Sequence, residues 1–515
     1  MTIKGKRIFN YRPTVLFAIA LILGVILGEA VYGRHTAITV CLCVIAFLFI
    51  LLLAVFKKTR KFFYIPLALL AGLIGISASN AVYDAGAIDE YNGTFTATVA
   101  SEIVVEEDST KFYVSDVYVE GKLLKYDAFV YMYFEITPDF NAGDTVALTG
   151  DITFNEHKRF DTYYASGSAK NVGYFASVRS AVKLSEGKPS FPLNVQLAIK
   201  KVIYENNDPY TAGVCQALLL GDKRLISGDA YDDVAASGLA HVLAVSGLHI
   251  TAIASALYFI LKKLKVNPKI SLVIVTVITL LYSMICSFTA SSLRAVVMTA
   301  VMMSASAFSQ KRDDLSSLAL AAILILLFRP TAVMEVGFLL SFFSVLGIVL
   351  FYKPFKRVGM AAVERISPKR KIGTRLVEVC ALSFATNLST LPLVAYFFKR
   401  IPTLYVLSNF FVLPYVMFIY FALLILTLLS LITTVGGLVG IMRFLVFPFK
   451  AYVGFVGGLP FATVGVASSV AAIVCFTLLM IFASRFVFVN RKTKAKGVLL
   501  GGAASIVICL LFALA

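Results

Sequence analysis

The sequence predicts a polytopic α-helical membrane protein with an inserted small β-barrel domain on the extracellular side. Three observations carry that expectation. Hydrophobic residues make up 59% of the 515, charged residues 15%, and the mean hydropathy is +0.86. A soluble fold of this size has no means of hiding so much apolar surface. Many apolar runs reach the ~20 residues that an α-helix needs to cross a bilayer. Over residues 84–190, by contrast, apolar and polar residues alternate with the period of two that marks β-strands.

The net charge of +18 and the pI near 9.5 do not choose a partner by themselves. A nucleic-acid binder has such a balance, but so does any multi-span protein that gathers Lys and Arg on its cytoplasmic side. Cys41 and Cys43 lie two apart in one apolar run, and none of the seven cysteines forms a pair at metal-binding spacing. All seven read as packing residues.

Residues 1–83 are expected to hold the N-terminal spans. Lys4, Lys6, Arg7 and Arg12 keep the N-terminus in the cytoplasm, and apolar runs follow at 14–32 and 36–56. The cluster Lys57, Lys58, Arg60 and Lys61 marks the inside again before 62–80 crosses outward. The first run has no convincing small-residue cleavage site and reads as a retained helix.

Within 84–190 the alternation gives five strands, near 94–105, 111–119, 128–134, 145–154 and 172–178. Glu107-Asp108-Ser109, Glu120-Gly121-Lys122 and the run from Asn141 to Asp144 supply turns between them. Short strands in this number suit an OB-like barrel, a platform for single strands or oligosaccharides. The segment holds 17 acidic residues against 9 basic ones, which argues against a uniform phosphate-binding surface. Its basic residues thicken late. Lys158, Arg159, Lys170 and Arg179 therefore mark either a DNA-facing edge or a solvated face.

Residues 186–190 read as a linker, and 191–210 as an amphipathic helix with Leu193, Val195, Leu197, Ala198, Val202 and Ile203 opposite Gln196, Lys200, Lys201 and Glu205. That helix either lies at the membrane interface or packs on the barrel. Residues 211–490 form the main transmembrane domain, and 491–515 a basic loop and a last span. Apolar runs fall near 270–289, 291–309, 315–328, 331–352, 376–398, 404–432, 436–458, 464–488 and 497–514. With the earlier runs and a span ending near Lys262, about eleven to thirteen crossings result. Pro414 is expected to divide the 404–432 run into a re-entrant piece and a span. Residues 353–375 hold eight Lys and Arg against the single acid Glu364, which marks a cytoplasmic loop.

Five polar constellations interrupt this domain. The stretch Ser237–Ile250 reads S-G-L-A-H-V-L-A-V-S-G-L-H-I and carries two of the chain's four histidines. On a continuous helix His241 and His249 would lie about 80° apart, and Ser246 and His249 would share a face. Gly221-Asp222-Lys223-Arg224 stands just before it. Ser291-Ser292-Leu293-Arg294 places an arginine early in an apolar run, which is costly unless the side chain snorkels, pairs or faces water. Glu335 with Ser341, and Asn387 with Thr390 and Pro392, complete the set. Any one of these serves as well as a helix–helix contact, since small and polar residues hold membrane helices together. Five in neighbouring spans favour a lined pathway built from Asp222, His241, Ser246, Gly247, His249, Arg294, Glu335 and Asn387.

Catalysis is not expected. Ser246 and His249 are too local for a serine–histidine dyad, which normally joins two helices. Four histidines provide no metal cluster, and no phosphate-binding loop occurs. The reading is of a non-enzyme without metal or cofactor.

Ala217 to Asp222 followed by Ser237 to Ile250 closely resembles the signature of the ComEC competence family. The likeness continues at Ser292-Leu293-Arg294-Ala295, at Gly337 to Phe342 and at Ala385 to Pro392, and includes a Gly-Asp-x-Val strand at Gly143 to Val146. The resemblance implies a channel in the bacterial inner membrane that passes single-stranded DNA into the cytoplasm during natural transformation. Many members end in a metallo-β-lactamase-like domain; here the last span stops at Ala515, so a separate nuclease is expected to degrade the partner strand. Position 339 is Leu where a polar Gln is expected. Each phosphate carried inward against an inside-negative potential costs about 2.3 kcal/mol per 100 mV. A cytoplasmic ATPase docked near 353–375 is the expected motor, and an extracellular DNA receptor the expected supplier. The alternative is a small-solute or lipid-linked transporter with an extracellular β receptor domain.

Overall fold

The computed structural model describes residues 2–3, 6–7, 12–31, 64–84, 90–106, 109–132, 138–154, 172–243, 245–288, 290–309, 313–366, 371–433 and 436–466. A short pair, β1 (Thr2–Ile3) and β2 (Lys6–Arg7), precedes α1 (Pro13–Val31) and α2 (Tyr64–Asp84). These two helices cross at glycines: a Cβ on Gly24 would lie 2.2 Å from the Leu69 carbonyl oxygen, and one on Gly72 2.4 Å from that of Leu21. Small residues let the backbones approach, which is how helices associate in lipid. Asn80 donates to Glu29 at 2.6 Å across the same crossing. The run expected at 36–56 lies outside the described residues.

The β segment comprises β3 (Tyr91–Val99), β4 (Val104–Glu106), β5 (Ser109–Val119), β6 (Lys122–Leu123), β7 (Asp127–Met132), β8 (Thr145–Phe154) and β9 (Val172–Ser185). The pairings run β3–β8, β8–β9, β9–β7, β7–β5 and β5–β3, so they return to their starting strand. Only β7 and β9 are parallel in that ring. Alternate residues point inward, and Phe95, Phe112, Val130, Leu148 and Tyr174 fill one core. The first expected strand is two strands here. Ser101 Oγ accepts the Tyr113 N–H at 2.8 Å, so the chain leaves the ladder after Val99. The last strand runs on to Ser185 and carries Arg179 and Lys183.

Asp144, in the Gly-Asp-x-Val motif, fastens the following linker to this sheet. Its carboxylate accepts the N–H of Gly187 at 3.0 Å and of Asn141 at 2.8 Å, and pairs with Lys183 at 3.0 Å. The two backbone donors and then Lys183 outweigh burial and lower its pKa to about 2. The carboxylate form is thus favoured by the fold, and its contribution is lost as pH falls from the ordinary carboxylate range toward 2.

Beyond the linker come α3 (Phe191–Glu205), α4 (Pro209–Leu220), α5 (Gly228–Ala236), α6 (Gly247–Lys263), α7 (Pro268–Ile285), α8 (Ala290–Ala307) and α9 (Asp314–Phe328). After a 3-10 turn at Pro330–Met334 follow α10 (Val336–Ile366), α11 (Lys371–Phe398), α12 (Tyr405–Thr433) and α13 (Met442–Gly457). Every residue of α4 from Thr211 to Leu220 is buried, so this short helix is the bundle's axis. Val416, Ile419, Tyr420 and Leu423 of α12 and Val446 and Phe449 of α13 close around it. The amphipathic α3 packs on α4, α7 and α12.

Among the described residues, six segments are long and apolar enough to cross a membrane: Tyr64–Ala81, Pro268–Ile285, Val336–Glu364, Leu376–Phe398, Tyr405–Leu431 and Val439–Gly457. Pro13–Glu29, Ser291–Ala305 and Asp314–Phe328 are shorter apolar helices. Their outward faces expose large apolar side chains such as Phe455 (71%) and Phe328 (89%). Lipid, not water, is the medium that accepts such faces.

Three expectations are corrected. Pro414 does not divide its run; α12 continues through it, because a proline inside a membrane helix frees few groups and neighbours can absorb them. The basic stretch 353–375 is not a loop throughout, since α10 extends to Ile366 and Lys356 pairs with Glu378 of α11 at 2.5 Å. Lys and Arg are good helix formers, so charge alone did not end the helix. The run beginning at 464 opens instead as a strand, β11 (Thr463–Gly465), paired with β10 (Arg400–Pro402). The remainder of that run and 497–514 lie outside the described residues.

The tightest contact between α10 and α11 yields a test. A Cβ on Gly347 would lie 2.2 Å from both the Ala385 carbonyl oxygen and Ser389 Oγ, whereas one on Gly454 meets nothing within 4 Å. Gly347→Ala should therefore destabilise the solubilised protein by about 1–3 kcal/mol, and Gly454→Ala should not. Thermal unfolding of the two variants in detergent checks this, and equal melting temperatures would contradict it.

Candidate functional site

The stretch Ser237–Ile250 holds a break between two helices, up to Ser246, and then the first turn of the second helix. After α5, Gly238 takes φ +80°, its N–H donates to Ala235 O at 3.0 Å, and Leu239 N–H donates to Val234 O at 3.0 Å. This is the double hydrogen bond of a left-handed helix stop, and glycine is the residue that tolerates it. A Cβ there would also sit 2.9 Å from Tyr405 Cβ at the start of α12. The chain then turns through His241 and Leu243, and Ser246 starts α6 as its N-cap.

The cap is reciprocal. Ser246 Oγ accepts the Leu248 N–H at 3.2 Å, and His249 Nδ1 accepts the Ser246 N–H at 3.1 Å. Histidine thus fills the place that Glu or Gln takes in a capping box. Because Nδ1 accepts, a neutral His249 carries its proton on Nε2. The expected helical geometry of His241 and His249 is therefore replaced: no helix joins them, and Ser246 meets His249 through the cap. His241 is exposed on the break, and His249 is buried.

Polar contacts from four other helices converge on this break. Ser291 of α8 donates to the Val245 carbonyl at 2.6 Å, and Ser283 and Ser292 join α7 to α8 at 2.6 Å. The His249 ring lies 4.5 Å from that of Tyr420 on α12. Tyr420 donates to Tyr282 at 3.0 Å, and Tyr282 to the Leu219 carbonyl of α4 at 2.7 Å. Gly221 ends α4 with φ +76°, and a Cβ there would lie 3.4 Å from Val245. The Gly221-Asp222 turn and the Ser246 cap are thus neighbours in space.

Further along α8, Arg294 is buried, with its side chain 3% exposed. Its guanidinium lies 3.9 Å from the Glu335 carboxylate and 5.9 Å from the Phe338 ring centroid. Glu335 is bonded more closely to Arg329, at 2.8 Å. Arg294 and Glu335 do come together as a pair, and Arg329 joins them.

Asp222 lies in a cluster of ion pairs. It accepts from Arg224 at 2.9 Å and forms a close ion pair with Lys200, which also bonds Glu102 at 2.6 Å. Arg224 reaches Glu102 as well, at 2.5 Å. Two acids and two bases from α3, the α4–α5 turn and the loop after β3 thereby dock the sheet on the bundle. Burial pushes the Asp222 carboxyl up, but hydrogen bonds and charge from Arg224 and Lys200 outweigh it and hold it below the usual carboxylate range.

Asn387 donates to the Ser383 carbonyl of its own helix at 2.9 Å, on α11, which packs chiefly on α10 and α12. It is not brought to the Ser246 cap. Gly247 begins α6 beside α8, where an added Cβ would make an ordinary contact with Ala295 Cβ at 3.7 Å. Arg179 is exposed and paired with Asp151 at 2.8 Å. Lys158, Arg159 and Lys170 lie outside the described residues. No group of three His, Cys, Asp or Glu that could hold a metal occurs among the described residues.

Sequence reasoning did not single out Glu102, Lys200, Tyr282, Arg329 or Tyr420 as site residues. Lys200, expected on the polar face of α3, is instead buried beside Leu193 and Ile203; its spacing of seven from Leu193 and three from Ile203 is the signal for that.

Apolar outer faces around buried polar contacts define a multi-pass helical membrane protein. Residues 218–491, more than half of the chain, match the family described as competence protein, and the chain belongs to that family. It is also similar to ComE operon protein 3 of Bacillus subtilis (strain 168), 26% identical over 245 residues. That similarity covers 47% of this chain and 30% of the relative, so the matched part spans under a third of the relative's length. No solved structure matches the chain.

Asp222→Asn removes one of the carboxylates that compensate the nearly buried Lys200. Breaking such a pair should loosen the sheet's docking by about 3 kcal/mol. Cleavage after Glu186 in the linker, whose side chain is 88% exposed, by a glutamate-specific endoprotease should then be faster than in the wild type; an unchanged rate would contradict the docking role.

Proposed function

We propose that the chain is an inner-membrane channel that passes single-stranded DNA into the cytoplasm during natural transformation. The observation that carries this reading is the family match across the bundle that holds the Ser237–Ile250 break and its buried polar contacts. Non-helical backbone at membrane depth is tolerated where it is enclosed by protein or lines a cavity. A break lined by Ser246, His241 and the buried His249 is therefore the place where a polar polymer meets the bundle.

The β segment supports an OB-like barrel on the outer side. Its ring of pairings joins five long strands in the order β3, β5, β7, β9, β8, with β7 and β9 parallel, as in the five-stranded Greek-key barrel that takes up single strands. Sidedness follows from charge: Lys57 to Lys61 before α2, and Lys262, Lys263 and Lys265 after α6, favour the cytoplasm. The sheet and the Ser246 cap then share the outer side, joined through the Glu102–Lys200–Asp222–Arg224 cluster. The domain limits of this reading are 1–83, 84–190, 191–210, 211–490 and 491–515.

In this reading the chain is a conduit rather than an enzyme and takes no cofactor. An extracellular receptor delivers DNA, a separate nuclease removes the partner strand, and a cytoplasmic ATPase pulls. A pull is needed because each inward phosphate opposes the membrane potential by about 2.3 kcal/mol per 100 mV.

Labelled DNA should fail to reach the cytoplasm of cells lacking this protein, and unimpaired entry would sink the channel reading in favour of a solute or lipid-linked transporter. His249→Ala should cost only about 1 kcal/mol of helix stability, leaving membrane abundance near normal while uptake falls. Loss of abundance would instead assign His249 to packing alone.

A further inference from the structure

Arg294 presents an imbalance that the bundle does not resolve. Its Nε and both terminal nitrogens are buried and make no hydrogen bond. A guanidinium carries five donors in a rigid fork that matches the oxygens of a phosphate or carboxylate, and leaving them unmade is expensive. Among the described residues the carboxylate that faces it is Glu335, which stands 3.9 Å away and is engaged by Arg329 at 2.8 Å. Two cations therefore share a single anion, and the cluster is one negative charge short. Glu335 directly precedes Val336, where α10 begins, and the first turn of a helix offers backbone N–H groups without acceptors in the helix. Arg294 is aimed at that turn: an added Cβ on Gly337 would lie 3.2 Å from its terminal nitrogen. The missing side chain at Gly337 keeps the approach open.

We infer that Arg294, Arg329 and the first turn of α10 form a phosphodiester-binding site for which Glu335 is a resident, exchangeable counterion. A phosphodiester carries one negative charge, the charge the cluster lacks, and oxygens that the idle guanidinium fork can hold. When a backbone phosphate arrives, Glu335 swings wholly to Arg329, which is half exposed and already holds it, and Arg294 turns to the phosphate. As the strand moves on, Glu335 returns, so no single phosphate is held tightly enough to stop transit. The inference rests on the DNA-conducting reading and specifies where the strand is gripped.

The test uses the full chain in maltoside micelles with a fluorescein-labelled oligothymidylate, read by anisotropy over a salt series. Arg294→Gln should weaken binding about tenfold and reduce the slope of log K against log salt by about 0.7, the share of one single-strand phosphate. Glu335→Gln removes the internal competitor and should tighten binding about threefold or more. Opposite signs are the signature; a purely structural pair would weaken together. Two weakened variants, or two unchanged ones, overturn the inference. If Arg294→Gln fails to accumulate, Arg294→Lys takes its place, keeping charge but losing the fork, with an intermediate loss expected. Short-chain phosphatidylglycerol forms a separate arm: opposite signs for the lipid with none for the oligonucleotide would make this a headgroup site and overturn the DNA version. Flat variants alongside DNA entry that still depends on the wild-type protein would sink this inference alone. Unimpaired entry in its absence would sink the conducting reading as well.

Discussion

A chain that leaves the helix inside an apolar bundle must satisfy every backbone group it frees, and this requirement governs the centre of the structure. At the two ends of the break between α5 and α6 the described residues do so by local means. The Gly238 stop consumes the last carbonyls of α5, the Ser246–His249 cap consumes the first donors of α6, and Ser291 takes the Val245 carbonyl from the side. An unmade hydrogen bond in such a setting costs several kcal/mol, roughly the whole margin that holds many folds together. The break is thus affordable only because α4, α7, α8 and α12 are packed around it. The Tyr420–Tyr282–Leu219 relay fixes those neighbours relative to one another.

Charge follows the same logic in two different settings. The Glu102–Lys200–Asp222–Arg224 cluster alternates sign and balances, so it docks one part of the protein on another. The Arg294–Arg329–Glu335 cluster does not balance. A balanced cluster resists exchange, whereas an unbalanced one invites a further anion. The family's Gly-Asp turn belongs to the first kind and the later arginine to the second, although both read from the sequence as polar interruptions.

Much of this architecture is legible in residues. Length and hydropathy place the described spans, and period-two alternation places the strands. What escaped has physical reasons. Pro414 and the lysines of 353–366 are punctuation only when neighbours do not compensate, and here tertiary packing and good helix formers did. Ser246 and His249 looked like one helical face, with His241 about 80° away, because spacing presumes a continuous helix; Gly238 at positive φ ends it. The docking contacts of Asp222 were not legible because its partner Lys200 is 22 residues away in sequence, and Glu102, which shares Lys200 and Arg224 with it, lies in the loop after β3. No periodicity carries such long-range pairing.

The central claim is that the break between α5 and α6 meets the incoming strand. Site-specific photo-cross-linking tests it most directly, with the reactive side chain at His241, exposed on the break, and a control at Phe328, exposed on the outer face of α9. During uptake of end-labelled DNA, position 241 should form an adduct with the single strand, and position 328 should not. Equal labelling from both positions, or adducts from neither while DNA still enters, would contradict the account.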